Sequence, residues 1–65
     1  MKVAIPVEVF SKEGDLMRIE FHDLDGNHII DAVWDPKDDQ TSENRVKFRE
    51  WAYRFIEQKD YEVIK

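Results

Sequence analysis

His22, Asp23, Asp25 and His28 fall within one short stretch and form the densest set of chemistry-bearing side chains in the sequence. Imidazoles and carboxylates together make a ligand set for a divalent transition metal. The expected hairpin geometry argues against that use. If Asp23 pairs with His28, the two imidazoles point to opposite faces, and a polar turn is ordinarily rich in Asp, Asn and Gly. Asp23-Leu24-Asp25-Gly26-Asn27 has the alternating acidic and amide positions of a calcium loop. Such a loop needs Gly at its sixth position and a bidentate Glu at its twelfth, where this sequence has His28 and Trp34. No metal and no cofactor is expected.

For nucleophilic or acid–base catalysis the inventory is Ser11, Thr41, Ser42, the two histidines and many carboxylates. None stands beside a partner in a concave place that the pattern foretells, and no catalytic residue is assigned. Trp34 and Trp51, with Arg45, Arg49 and Lys59 nearby, have the composition of a base-stacking platform for single-stranded nucleic acid. Both indoles also lie on faces expected to be core, where large aromatics dominate small-domain packing. Nucleic acid is therefore the second reading, one that would use the helix cations and exposed aromatics.

Charge sharpens this. Residues 1–34 carry three Lys/Arg against seven Asp/Glu (net −4), residues 35–42 one against three (net −2), and residues 43–65 six against five (net +1). An acidic strand half disfavours binding to phosphate backbones, which depends on clustered cations, and leaves basic protein surfaces as partners. The 65 residues contain no Cys, so neither a disulfide nor a thiolate zinc site can staple a single small domain. Oligomerisation is the staple that remains. The most apolar run, Val3–Phe10, is interrupted by Pro6 and Glu8 and is far shorter than the ~20 residues of a membrane span. A cytoplasmic protein is expected, acting in a host cytoplasm if a virus encodes it.

The elements that must position these residues follow from periodicity. Val3, Ile5, Val7 and Val9 alternate with Pro6 and Glu8 as in a half-buried strand, with Pro6 suited to an edge strand or to one paired sparsely at that point. Met17, Ile19 and Phe21 repeat the pattern. A loop of Lys12, Glu13 and Gly14 sets Val9 opposite Met17, Val7 opposite Ile19, Ile5 opposite Phe21, and Glu8 opposite Arg18 on the other face. Asp25-Gly26 signals a two-residue turn that places Phe21 opposite Ile30, Ile19 opposite Ala32 and Met17 opposite Trp34. It also sets Glu20 against Asp31, a like-charge pair that Arg18 or a partner must offset. Thr41 or Ser42 caps a helix from about Glu43 to about Lys59, whose stripe of Phe48, Trp51, Ala52, Phe55 and Ile56 faces the sheet. Tyr61–Ile64 adds a parallel fourth strand beside the first, frays as a tail, or pairs with another subunit; the sequence leaves these open. The fold class is α+β: a three-stranded antiparallel meander, with or without that fourth strand, against one C-terminal amphipathic helix in a single domain.

Some apolar residues find no place in this core. The register leaves Phe10, Leu16, Ile29 and Val33 on the outer sheet face, together with Arg18, Glu20 and Asp31, and puts Val46 and Tyr53 opposite the helix core stripe. Contiguous apolar surface on a small domain marks an interface. These nine residues are the sequence-level candidates for a protein-interaction site. The function they suggest is a small, acidic, non-enzymatic, self-associating module, a dimer by the commonest symmetry, that regulates or inhibits another protein. A phage-encoded inhibitor would fit the size and acidity.

Overall fold

A computed structural model describes residues 2–65. Strands β1 (Lys2–Phe10), β2 (Leu16–His22) and β3 (His28–Val33) are followed by helix α1 (Ser42–Glu57) and strand β4 (Tyr61–Val63). The sheet order is β3-β2-β1-β4, antiparallel through β1 and parallel between β1 and β4. The α+β architecture is the expected one, and the Tyr61 segment takes the fourth-strand position. There Ala4 lies beside Val63, and the Ile64 N–H donates to the Ala4 carbonyl at 3.0 Å.

Both hairpins close in the same way. Ser11 and Asp15 flank Lys12-Glu13-Gly14, with the Ser11 N–H donating to the Asp15 carbonyl at 2.8 Å. Asp23 and Asn27 likewise flank Leu24-Asp25-Gly26, the corresponding bond being 2.9 Å. Gly14 and Gly26 sit third in their loops at φ +88° and +83°, the left-handed conformation that a three-residue hairpin loop requires and that glycine adopts without strain. The first loop is the expected one. The second is one residue longer than the expected Asp25-Gly26 turn, because Asp23 Oδ1 accepts from the N–H groups of both Asp25 and Asn27 and makes the wider loop self-sufficient.

Past each turn the ladder slips by one residue. Phe10 pairs with Leu16, but Val9 pairs with Arg18, leaving Met17 as a bulge; on the other side Phe21 pairs with Ile30 and His22 with His28, leaving Ile29 unpaired. The second slip compensates for the longer loop, so the expected pairs Ile19/Ala32, Phe21/Ile30 and Glu20/Asp31 all form. The first slip is uncompensated. Val7 pairs with Glu20 rather than Ile19, and Glu8 with Ile19 rather than Arg18. Since a one-residue shift exchanges the two faces of a strand, β1 is inverted from its expected setting. Ala4, Pro6 and Glu8 share the helix side with Ile19 and Phe21, and Val3, Ile5, Val7 and Val9 face away. Met17, expected in the core, is 46% exposed, while Leu16 turns inward and is fully buried.

The core is a cluster of Ala4, Ile19, Phe21, Ala32, Ala52 and Ile56. Thr41 caps α1, its Oγ1 accepting from the Asn44 N–H at 3.1 Å. The helix is rolled relative to the expected stripe. Ala52 and Ile56 are buried as foreseen, but Trp51 is 50% exposed. Tyr53, expected outside, packs edge-on against Phe21 with ring centroids 6.3 Å apart. In this orientation Arg49 lies over β1 and donates through Nε and a terminal nitrogen to the two Glu8 oxygens at 2.6 and 3.0 Å. An inward carboxylate needs a partner of this kind.

The Glu8–Arg49 pair gives a first expected result. Its side chains are only 26% and 32% exposed, so Glu8→Gln should lower the unfolding free energy by about 1–2 kcal/mol. The hydrogen bond from Arg49 holds the folded Glu8 carboxyl below its ordinary value of 4.5. The stabilisation is therefore complete above that value and is lost as pH falls through the folded one. Urea titrations of both proteins from neutral to strongly acidic pH should converge in acid; a gap independent of pH would refute the assignment.

The connection from β3 to α1 is organised by Gln40. Its amide accepts from the Leu16 N–H at 2.8 Å and donates to the Leu16 carbonyl at 3.0 Å, behaving as one more residue of a neighbouring strand. Arg45 braces it, donating from Nε to Gln40 Oε1 at 3.1 Å and from a terminal nitrogen to the Gly14 carbonyl at 2.9 Å. The Trp34 indole N–H donates to the Asp38 carbonyl at 3.1 Å, which fixes the turn that begins at Asp35.

Candidate functional site

The sheet face away from α1 is a layered surface. Val3, Ile5, Val7 and Val9 form an apolar column along β1. Beside it β2 presents Arg18, Glu20 and His22, and β3 adds His28, Asp31 and Val33 by their pairing with that row. Val7 is 43% and Val33 65% exposed.

The charged row resolves the Glu20/Asp31 conflict. Arg18 donates to Glu20 Oε2, with its closest nitrogen at 2.7 Å, and His22 Nε2 lies 3.1 Å from Glu20 Oε1. His28 Nε2 lies 2.6 Å from Asp31 Oδ1. Each carboxylate thus has its own cation or imidazole. The bond to His22, then that to Arg18, holds Glu20 below the usual carboxylate range, and the bond to Glu20 raises His22 above the usual imidazole value of 6.5. By linkage the His22 contribution is complete below that ordinary value and fades as pH rises through the raised one.

The two imidazoles were expected on opposite faces and instead lie together, ring centroids 5.5 Å apart at 78°, because of the bulge at Ile29. Each engages a carboxylate of the sheet, while the Asp23 carboxylate closes the turn. Among the described residues no group of three or more His, Asp or Glu side chains is disposed to hold a metal ion.

Of the nine sequence-level interface residues, Arg18, Glu20, Asp31 and Val33 lie together on the uncovered face as expected. Val46 is 50% exposed on the helix, apart from them. The other four need correction. Leu16 is buried; Ile29 is drawn against the core by its bulge; Tyr53 packs on the core as well. Phe10 is 47% exposed, but as the partner of Leu16 it follows Glu8 onto the helix side of its strand. The residues the sequence reading missed are Val3, Ile5, Val7 and Val9. The available signal was Glu8: inward, it needs a cation, and Arg45, Arg49, Ala52 and Ile56 form a helical stripe that supplies one.

A second surface runs along the flank of α1. Trp34 meets Phe48 edge-on at 5.1 Å, Phe48 stacks on Trp51 at 6.0 Å, and Trp51 on Phe55 at 5.7 Å. Trp34, Phe48 and Trp51 wall a groove of about 410 Å³ that also receives Asp35, Asp38 and Lys47.

No family model, curated protein or solved structure matches this chain. No helix is long and apolar enough to cross a membrane among the described residues.

Proposed function

We propose that this chain is a non-enzymatic protein-interaction module that self-associates as a two-fold dimer through the uncovered sheet face, and that it regulates or blocks another protein in the cytoplasm. The observation that carries this reading is the valine–isoleucine column of β1 lying on the face that the helix leaves open. A standard interface takes about 800 Å² from each partner, roughly one-sixth of the 4691 Å² accessible surface. Two such faces packing at the usual ~10 Å sheet separation would enclose the column between them. The ion-paired row beside it would set the register of the two copies.

Light scattering and sedimentation over a range of concentrations test the reading. The wild type should show the mass of a dimer, and replacing Ile5 and Val7 together by Lys should weaken association by at least ~100-fold while helical circular dichroism is retained. A wild type that stays monomeric at high concentration would overturn the proposal. The nucleic-acid reading gains from the half exposure of Trp51. It loses two of the three cations on which it relied, because Arg45 and Arg49 are engaged with Gly14, Gln40 and Glu8.

A further inference from the structure

Three aromatic rings of this chain each carry a lysine of their own. Lys59 Nζ sits 5.1 Å from the centre of the Phe55 ring, Lys2 Nζ 4.5 Å from that of Tyr61, and Lys65 Nζ 5.2 Å from that of Tyr53. A cation over a ring face is attracted by the negative face of the quadrupole, and indole is the strongest such acceptor. The three rings of the groove, Trp34, Phe48 and Trp51, have no such cation among the described residues. Trp34 is only 7% exposed and forms the floor of the groove, whereas Trp51 is 50% exposed, so the indole surface left open to an incoming cation is that of Trp51.

The charges around the groove point the same way. Asp35 Oδ1 accepts from the Lys37 N–H at 3.0 Å, whereas Asp35 Oδ2 and the Asp38 carboxylate enter no hydrogen bond or ion pair among the described residues. Lys47, the cation at the rim, is paired with Glu43 at 3.2 Å. The groove therefore offers aromatic faces and carboxylates with its one lysine already neutralised. A volume of about 410 Å³ admits a long side chain and its neighbours.

We propose that the groove between Trp34, Phe48 and Trp51 receives an arginine side chain from a basic segment of a partner protein, its guanidinium stacked on the aromatic faces and paired with Asp35 and Asp38. Arginine is favoured over lysine because its planar, weakly hydrated guanidinium both stacks and forks onto carboxylates. The groove borders the uncovered sheet face at Val33, but it is built within one copy of the chain and lies apart from Ile5 and Val7.

The groove contains both tryptophans of the chain, which supplies the readout. Proton–nitrogen correlation spectra and tryptophan fluorescence are recorded while the protein is titrated with a short capped peptide carrying three arginines, and separately with peptides carrying lysine or citrulline in their place. The arginine peptide should shift both indole N–H signals saturably, the lysine peptide more weakly and the citrulline peptide not at all. Trp51→Ala and Asp38→Asn should each weaken arginine-peptide binding about tenfold. The second substitution guards against a folding defect in the first. The Ile5/Val7 double-lysine variant should bind the peptide unchanged, so a failed dimer and a failed groove are told apart. Equal response to the citrulline peptide, no response to the arginine peptide, or tighter binding of a single-stranded oligonucleotide on the same indole signals would overturn the proposal.

Discussion

Replacing Phe21 by Ala should lower the unfolding free energy by about 3–5 kcal/mol, enough to leave most of a domain whose total stability is of the order of 3–5 kcal/mol unfolded at room temperature. Phe21 is fully buried, is the largest of the fully buried side chains, and touches both layers. Its ring supports Tyr53 of α1 edge-on and lies in one cluster with Ile19, Ala32 and Ile56. The cavity would be lined by Ala4, Ala32 and Ala52 and by Ile19, Ile56 and Tyr53, which are held by a close-packed interior and can close on it only in part. Far-ultraviolet circular dichroism with urea titration measures the effect. A loss below about 1 kcal/mol would mean that the helix is not seated on this ring.

Gln40→Met should cost about 2–3 kcal/mol, although the replacement keeps nearly the same volume and leaves every apolar contact of the core in place. The amide satisfies both backbone groups of Leu16, a buried residue beside the bulge, and also takes a bond from Arg45. Methionine would leave a part-buried donor and acceptor without partners at the point where the ladder is already broken. Besides the shift in urea midpoint, the Leu16 amide should lose its protection from hydrogen exchange while amides in the middle of β2 keep theirs. Unchanged exchange at Leu16 would show that water replaces the side chain without penalty.

These two residues stood differently in the sequence. Phe21 was legible: alternation with Ile19, a glycine turn on each side and the Ile30 and Ala32 partners all place it inward. Gln40 was not, because a polar residue in a polar connection carries no periodic signal. The regularly alternating strand Val3–Val9 proved inverted, although the loop before β2 is the expected one. Alternation establishes that the two faces of a strand differ. Which face is hidden depends on the register, and one bulged residue, Met17, decides that. The small Ala4 and the ion-paired Glu8 fit beneath a helix that brings Arg49 with it, whereas the larger valines do not need to be there. The same roll of the helix that brings Arg49 onto Glu8 has Trp51 outward and Tyr53 inward. The acidic outer row was legible in part. Arg18, Glu20, Asp31 and Val33 were found because the β2–β3 register held, whereas the β1 column depended on a slip that no local pattern announces.

The parallel pairing of β1 with β4 joins the two ends of the described chain, Lys2 lying beside Tyr61 and Ala4 beside Val63. During vectorial synthesis these partners are made 59 residues apart, an interval of roughly 3–12 s at ordinary elongation rates. Until β4 is made, the meander can form once β3 has been completed, but the other edge of β1 has no strand to pair with. An unpaired strand edge is a template for foreign strands, and the proline at position 6 lies in the middle of that strand. Pro6 has no N–H to offer, and standing two residues beyond Ala4, whose carbonyl faces β4, it leaves a gap in the donors of that waiting edge.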